Sequence, residues 1–89
     1  MTDQPEIELE FPQPFAIKAM GKNDATFAEH AQALILAHGE LSGDDSIKTR
    51  DSKNGKFLSV TIEITATSRE QLDKIYQSLT DDERVIMAF

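Results

Sequence analysis

The sequence predicts a two-layer α+β fold, in which strands and helices follow one another in the order β-α-β-β-α-β over 89 residues. Apolar and polar side chains alternate from Phe57 to Ala66, as in a strand that buries one face. An Asn54-Gly55 pair, typical of a tight hairpin turn with two positive φ angles, precedes this strand. The helical stripe that follows it consists of Leu72, Ile75, Tyr76 and Leu79.

The first strand is predicted from Phe15 to Met20. Pro12 and Pro14 hold the residues before it in an extended conformation, and Gly21 is expected to end it. The residues expected to face the core are Phe15, Ile17 and Ala19. The residues expected on the opposite face are Ala16, Lys18 and Met20.

The first helix is predicted over about residues 24–38. Asn23 or Asp24 can cap its start, because a short side-chain oxygen accepts a hydrogen bond from a free amide of the first turn. His38-Gly39 is a natural end, since glycine closes helices and a helix C-terminus favours positive charge. The apolar residues that recur at helical spacing are Phe27, Ala31, Leu34 and Ile35.

Three further elements complete the domain. A weaker strand is predicted over Ser46–Ser52, whose charged side chains suit the edge of a sheet. The run from Thr67 to Glu70 has the pattern of a capping box and marks the start of the second helix. After a turn at residues 81–84, the last strand is predicted over Val85–Phe89.

This order of elements is that of a ferredoxin-like sandwich, with a four-stranded antiparallel sheet of order 4-1-3-2 and two helices on one face. The second and fourth strands are then edges. Val85–Phe89 carries no charge, and an apolar edge normally needs a cover. We expect this edge to be covered by the Ile7–Phe11 segment or by another chain.

A short acidic segment precedes the domain, which is predicted over residues 11–89. Residues 1–10 carry four acidic side chains and no basic one, so we expect them to be flexible. Ile7, Leu9 and Phe11 could nevertheless pack against the domain.

Several short stretches, in a fixed order, resemble a known family. They are Glu8–Phe15 leading into Lys18–Gly21, then Ser52–Gly55 followed by Phe57 and Ser59–Ile62, and finally Arg84–Met87. Together they make the run from about Ile7 to Phe89 similar to the YbeD-like family of small bacterial proteins. The resemblance implies a ferredoxin-like fold similar to ACT domains, which are regulatory modules that sense small molecules, and it implies no catalytic residues.

The same resemblance suggests one place for a ligand. ACT domains bind ligands near a glycine after the first strand, and Gly21 occupies the analogous position. The resemblance therefore implies a ligand loop that includes Gly21 and Asn23.

Composition excludes several classes of function. Nine Lys and Arg against sixteen Asp and Glu give a net charge of −7, which repels phosphate backbones, so we do not expect nucleic acid as a partner. The absence of cysteine excludes disulfides and thiolate chemistry, and it fits the cytoplasm. No long apolar window is present and the first residues are polar, so neither a membrane span nor a signal peptide is expected.

Neither a metal nor a cofactor is predicted. His30 and His38 would lie about 12 Å apart along one helix, too far to share a metal. Asp44-Asp45 and Asp81-Asp82 lack the ligand spacing of a calcium loop and are interpreted as solvated turn residues.

Two activities known for this order of elements are not supported by the residues. An acylphosphatase needs a guanidinium in the loop after the first strand, whereas Gly21–Asp24 offers one lysine, no arginine and an opposing carboxylate. An RNA-recognition domain needs several exposed rings on its third strand, where this chain offers only Phe57. We therefore expect a protein that is not an enzyme.

The sheet face without helices remains as a candidate interaction surface. Phe57 and Met20 would be its apolar contacts for a second copy or a partner protein. The residues assigned to this surface are Lys18, Met20, Phe57, Ser59, Thr61, Glu63 and Met87, with Lys48 or Arg50 beside them. The sequence leaves open a regulatory module that senses a small metabolite and a protein-binding adaptor or dimerisation domain.

Overall fold

The computed structural model describes residues 10–89 and confirms the predicted order of elements. The strands are β1 (Gln13–Lys22), β2 (Ile47–Asp51), β3 (Phe57–Ala66) and β4 (Val85–Ala88). The helices are α1 (Phe27–Leu36) and α2 (Arg69–Thr80). No helix in this described part is long and apolar enough to cross a membrane.

The four strands form one antiparallel sheet in the order β2-β3-β1-β4, which is the predicted order read from the other side. The two long strands lie in the centre and pair over their full length, from Gln13 opposite Ala66 to Lys22 opposite Phe57. Each of the short strands then pairs along part of one central strand. The alternation seen in β3 therefore belongs to a central strand with neighbours on both sides.

Both helices pack on the same face of this sheet, as predicted. The alternating apolar residues of β3 join side chains of α1 and α2 in one buried cluster. The residues of this cluster are Ile17, Ala19, Phe27, Ala31, Ile35, Leu58, Val60, Ile62, Ile64, Ala66, Leu72, Ile75 and Leu79. Phe15 and Tyr76, also assigned to the core, are only partly buried at its margin.

The first strand does not end at Gly21, and that prediction is wrong. Gly21 lies inside β1, buried opposite Leu58 of β3 and Val85 of β4. A Cβ atom there would lie 2.4 Å from the carbonyl oxygen of Arg84 and 2.4 Å from the ring of Phe27. The glycine is therefore required by close packing within a strand and does not mark a strand end.

Both helices begin at a residue other than the one predicted. A turn separates Asp24 from α1, so Thr26 and not Asp24 is the residue directly before the helix. The Asp24 carboxylate accepts hydrogen bonds from the Thr26 amide and hydroxyl within this turn. The Ser68 hydroxyl caps α2 by accepting from the Gln71 amide at 3.1 Å, one residue later than the predicted box. The Gln71 side chain in turn accepts a hydrogen bond from the Thr67 amide.

The hairpin between β2 and β3 forms as predicted, with a different backbone conformation. Only Gly55 has a positive φ, of 72°, whereas Asn54 does not. The Gly55 amide donates to the Ser52 carbonyl at 2.9 Å, so the turn is centred on Lys53 and Asn54, and the left-handed Gly55 is its last residue.

Among residues 10–89, the edge strand β4 pairs with β1 alone. Of the segment predicted to cover it, residues 7–9 lie outside the described residues, as does most of the predicted flexible segment over residues 1–10. Phe11 is partly buried against the core.

Candidate interaction surface

The register of the sheet brings the predicted surface residues together on the face without helices. We call this surface the open face. Two rows of side chains cross it from β4 to β2, because residues directly opposite each other in a sheet share a face. The first row is Met87, Met20, Ser59 and Arg50, and the second is Phe89, Lys18, Thr61 and Lys48.

The remaining predicted residues lie at the two ends of these rows. Phe57 is half-buried at the hairpin end of β3, opposite Lys22. Glu63 lies at the other end, opposite Ala16, and its carboxylate accepts a hydrogen bond from the Ser42 hydroxyl. All the residues assigned to the surface from the sequence therefore occupy neighbouring positions on one face.

The most exposed large apolar side chains of the described residues lie in β4 or just beyond it. Ile86 is 54% exposed, Met87 50% and Phe89 54%. The pairing shifts between Met20 and Gly21, so that Ile86 is an extra residue on β4, and a bulge of this kind turns consecutive side chains outward. The bulge explains why two adjacent apolar residues, Ile86 and Met87, both face solvent.

Phe89 continues the pairing beyond the end of β4. It exchanges backbone hydrogen bonds of 2.7 and 2.9 Å with Lys18, and the Lys18 ammonium lies 5.5 Å from the centre of its ring. This distance permits a cation–π contact, which holds the ring on the open face.

The ligand loop implied by the resemblance is not assembled as one site. Gly21 is buried beneath Phe27, whereas Asn23 is directed to the β2–β3 hairpin. The side-chain amide of Asn23 donates to the Gly55 carbonyl at 2.9 Å, and the backbone amide of Asn23 donates to the Lys56 carbonyl at 2.9 Å. The two residues thus have separate structural neighbours.

A cleft of about 330 Å³ lies close to that loop, between the end of β1, the start of α1 and β4. Its lining residues are Lys22, Asp24, Phe27, Glu83, Arg84 and Ile86. Arg84 donates to the Thr26 hydroxyl at 2.8 Å and lies 3.3 Å from the Asp24 carboxylate. Sequence reasoning missed this guanidinium, because 58 positions separate it from Thr26.

Hydrogen bonds set the ionisation of the carboxylate in this cleft. The amide of Thr26, then its hydroxyl, and finally the charge of Arg84 lower the pKa of Asp24 below its usual value. The cleft therefore contains an ion pair formed at neutral pH, with a second carboxylate, Glu83, at its margin.

A second polar contact links α1 to the turn before β4. His30 Nε2 lies 2.7 Å from the Asp82 carboxylate, which also accepts from the Arg84 amide at 2.9 Å. Partial burial opposes ionisation of Asp82, but the hydrogen bonds from Arg84 and His30 and the nearby positive charges lower its pKa overall. Asp82 is thus a bonded residue, 17% exposed, and its interpretation as a solvated turn residue is wrong.

The other histidine is also placed by a local contact. His38 lies just beyond α1, and its Nε2 is 3.3 Å from the Ser78 hydroxyl of α2. Within residues 10–89, no three His, Asp or Glu side chains lie close enough together to hold a metal ion.

Comparison with known proteins places the chain in a family. Residues 6–89 match the family described as "Protein of unknown function (DUF493)". A UPF0250 protein of Nitrosomonas europaea is 39% identical over 82 residues, covering 92% of this chain and 94% of the relative. A UPF0250 protein of Chromobacterium violaceum is 36% identical over 87 residues, covering 98% of each.

Two solution structures have a similar fold. Protein HP0495 from H. pylori superimposes with a TM-score of 0.72 at 15% identity, covering 98% of this chain and 91% of the other. The C-terminal domain of the MgtC protein from Mycobacterium tuberculosis gives a TM-score of 0.68 at 16% identity, covering 93% and 89%. At such identities the likeness concerns the fold alone. The sequence matches confirm the YbeD-like resemblance, and the chain belongs to the DUF493 (UPF0250) family of small bacterial proteins.

Proposed function

We propose that this protein is a non-catalytic interaction module of the bacterial cytoplasm, which associates with another protein chain through the open face and strand β4. The observation that carries the proposal is the exposure of Ile86, Met87 and Phe89, each at least half exposed in the edge strand β4 or just beyond it. Clustered exposed apolar side chains next to a free strand edge are typical of surfaces that bind protein.

The arrangement of the open face supports this function. Met20 and Met87 are directly opposite each other, and Phe57 lies at the hairpin end of the same face. Next to Met20 lie the small polar side chains of Ser59 and Thr61, and Lys18 lies opposite Thr61 on β1. A few large apolar contacts surrounded by polar residues are the usual composition of a protein interface.

The position of Arg84 supports a function without phosphate chemistry. Its guanidinium lies near the loop after β1, where an acylphosphatase would need one. However, this guanidinium is held by Thr26 and paired with Asp24, whose carboxylate repels an anion. We therefore favour a binding role over hydrolysis.

The cleft around Arg84 gives a second candidate function, the sensing of a small molecule. Phe27 and Ile86 provide an apolar wall, and Arg84 with Asp24 provides groups of both signs. A small zwitterion present at one hundred times its dissociation constant should stabilise the fold by about 2.7 kcal/mol. A thermal-shift screen of charged metabolites, repeated on Arg84→Ala, tests this role, and shifts that persist in Arg84→Ala contradict it.

The main proposal is tested with two substitutions on the open face. Met87→Lys and Phe57→Glu each place a charge where an apolar contact is proposed, so each should weaken association about tenfold or more. Light scattering during size exclusion measures association between copies, and affinity capture from the source bacterium with mass spectrometry measures binding of other proteins.

Two variants at one exposed position of α2 provide matched controls. Gln77→Lys and Gln77→Glu introduce the same charges on the helical side, and both should behave like the wild type. If Met87→Lys and Phe57→Glu both retain the wild-type molar mass and the same captured proteins, the proposed function is wrong.

A further inference from the structure

The charges of this acidic protein are unevenly distributed between its two faces. The chain has nine basic and sixteen acidic side chains. On the open face, however, the ladder positions of the sheet place four basic residues and one acidic residue, Glu63. The four basic residues are Lys18, Lys22, Lys48 and Arg50.

Within the part of the chain that the structure describes, no carboxylate lies within 4.0 Å of these four cations. Within residues 10–89, the side-chain pairs of opposite charge closer than 4.0 Å are His30 with Asp82 and Arg84 with Asp24, both on the helical side. Glu63 accepts a hydrogen bond from Ser42 and lies at the far end of the face. The open face therefore keeps a local positive charge on a chain of net charge −7.

In both rows an apolar side chain and a cation lie at opposite ends, and Lys18 lies within the second row next to Phe89. Each row begins with an apolar side chain, either Met87 of β4 or Phe89 just beyond β4, and ends on β2 with a cation, Arg50 or Lys48. Three strand spacings separate the two ends, which is about 14 Å. A ligand that matches both rows needs apolar groups and carboxylates separated by this distance.

We propose that the open face binds an acidic segment of a partner protein, whose carboxylates pair with Lys48 and Arg50 and whose apolar side chains contact Met87 and Phe89. This inference rests on the proposed function and names the chemistry of the partner. An extended segment spans the 14 Å separation with about four residues, and a helix spans it with about nine.

A nucleic acid matches this surface less well than a protein segment does. The net charge of −7 repels a long polyanion, and Phe57 is the single aromatic ring that β3 presents for base stacking. A short acidic segment has fewer charges to be repelled, and its apolar side chains fit the β4 side of the face.

The test is a titration of the full-length, ¹⁵N-labelled protein with a synthetic peptide, acetyl-Leu-Leu-Ser-Glu-Glu-Glu-amide. Amide shifts are expected at Met20, Thr61 and Met87, and binding should weaken with added salt. The combined variant Lys48→Glu with Arg50→Glu should weaken binding about tenfold or more, because two attractive contacts become repulsive.

A second double variant is the matched control. Arg69→Glu with Lys74→Glu changes the net charge equally but lies at exposed positions of α2, so it should bind the peptide like the wild type. Three results would overturn the inference. A peptide with three lysines in place of the glutamates could bind equally well, both double variants could lose peptide binding equally, or the amide shifts could be confined to the helices. Tighter binding of a twelve-nucleotide single-stranded DNA at the same amides would also overturn it.

The result also separates this inference from the proposed function. If Met87→Lys abolishes association while Lys48→Glu with Arg50→Glu retains it, the acidic partner is excluded and the interaction module remains. If light scattering shows a dimer that the peptide does not compete with, the occupant is a second copy and the inference is again overturned.

Discussion

Substitution of Gly21 by alanine gives the most direct test of how β1, β4 and α1 pack together. In the structure, an added Cβ would lie 2.4 Å from the Arg84 carbonyl oxygen and 2.4 and 2.6 Å from two ring atoms of Phe27. Ordinary contacts of a Cβ begin near 3.4 Å, so the overlap is large. One of the two partners is backbone, and the other is a ring that is 1% exposed, so neither can move without disturbing the core.

The size of the effect follows from these contacts. Overpacking of a core typically costs about 1–3 kcal/mol, and two firmly held partners place Gly21→Ala near the upper end. The loss of chain freedom in the unfolded state offsets up to about 1 kcal/mol. We therefore expect a net destabilisation of about 2 kcal/mol, which for a domain of this size lowers Tm by roughly 8–16 °C.

Urea unfolding followed by circular dichroism measures this change, and another glycine provides the control. A Cβ at Gly43 would meet only the Ser46 hydroxyl, at 3.8 Å, and the backbone there needs no positive φ. Gly43→Ala should therefore stay within about 0.5 kcal/mol of the wild type. If Gly21→Ala is as stable as Gly43→Ala, the close approach of Arg84 and Phe27 to β1 is not real.

Three further predictions concern the cap of α2, the turn before β4 and the core. In urea unfolding, Ser68→Ala should lower the free energy of unfolding by about 1 kcal/mol, whereas Thr67→Ala should change it little. A larger effect of Thr67→Ala would mean that Thr67 caps α2, as the sequence predicts. The pKa of Asp82 is lower in the folded protein than its ordinary value of 3.8, so the ionised Asp82 stabilises the fold at a pH above 3.8. This contribution disappears as the pH falls through the pKa of the folded state. Asp82→Asn should thus be less stable than the wild type near pH 6, and the difference should disappear once the pH falls below the folded pKa of Asp82. Parallel stability curves of the two proteins would contradict this. Ile75 is 0% exposed, so its replacement by alanine should lower the free energy of unfolding by about 2–5 kcal/mol. A decrease below about 1 kcal/mol would mean that α2 packs elsewhere.

The strand β3 and the helix α2 were predictable because their signals are local. Alternate residues of a strand and every third or fourth residue of a helix share a face, so burial imposes a repeat that can be read directly from residues 57–79. The open face followed from the same repeat, since the residues left out of the core must lie on the other side of the sheet. Its assignment required only that both helices pack together on one face.

Details that depend on neighbours were not predictable in this way. Gly21 looked like a strand end because glycine often is one, but here Arg84 and Phe27 approach it from distant parts of the chain. The choice of Ser68 over Thr67 as the cap depends on where Gln71 lies once α2 is packed. Neither contact leaves a repeat in the sequence.

The sequence by itself determined the order of the elements and which side of each central strand is buried, because hydrophobic burial acts on the period of each element. The tertiary structure alone decided the register between strands, which aligns Met87 with Met20 and Arg50 and brings Arg84 to Thr26. The physical reason is that strand register and the approach of one loop to another depend on contacts between residues far apart in the chain. No local sequence pattern indicates which of these distant residues will be in contact.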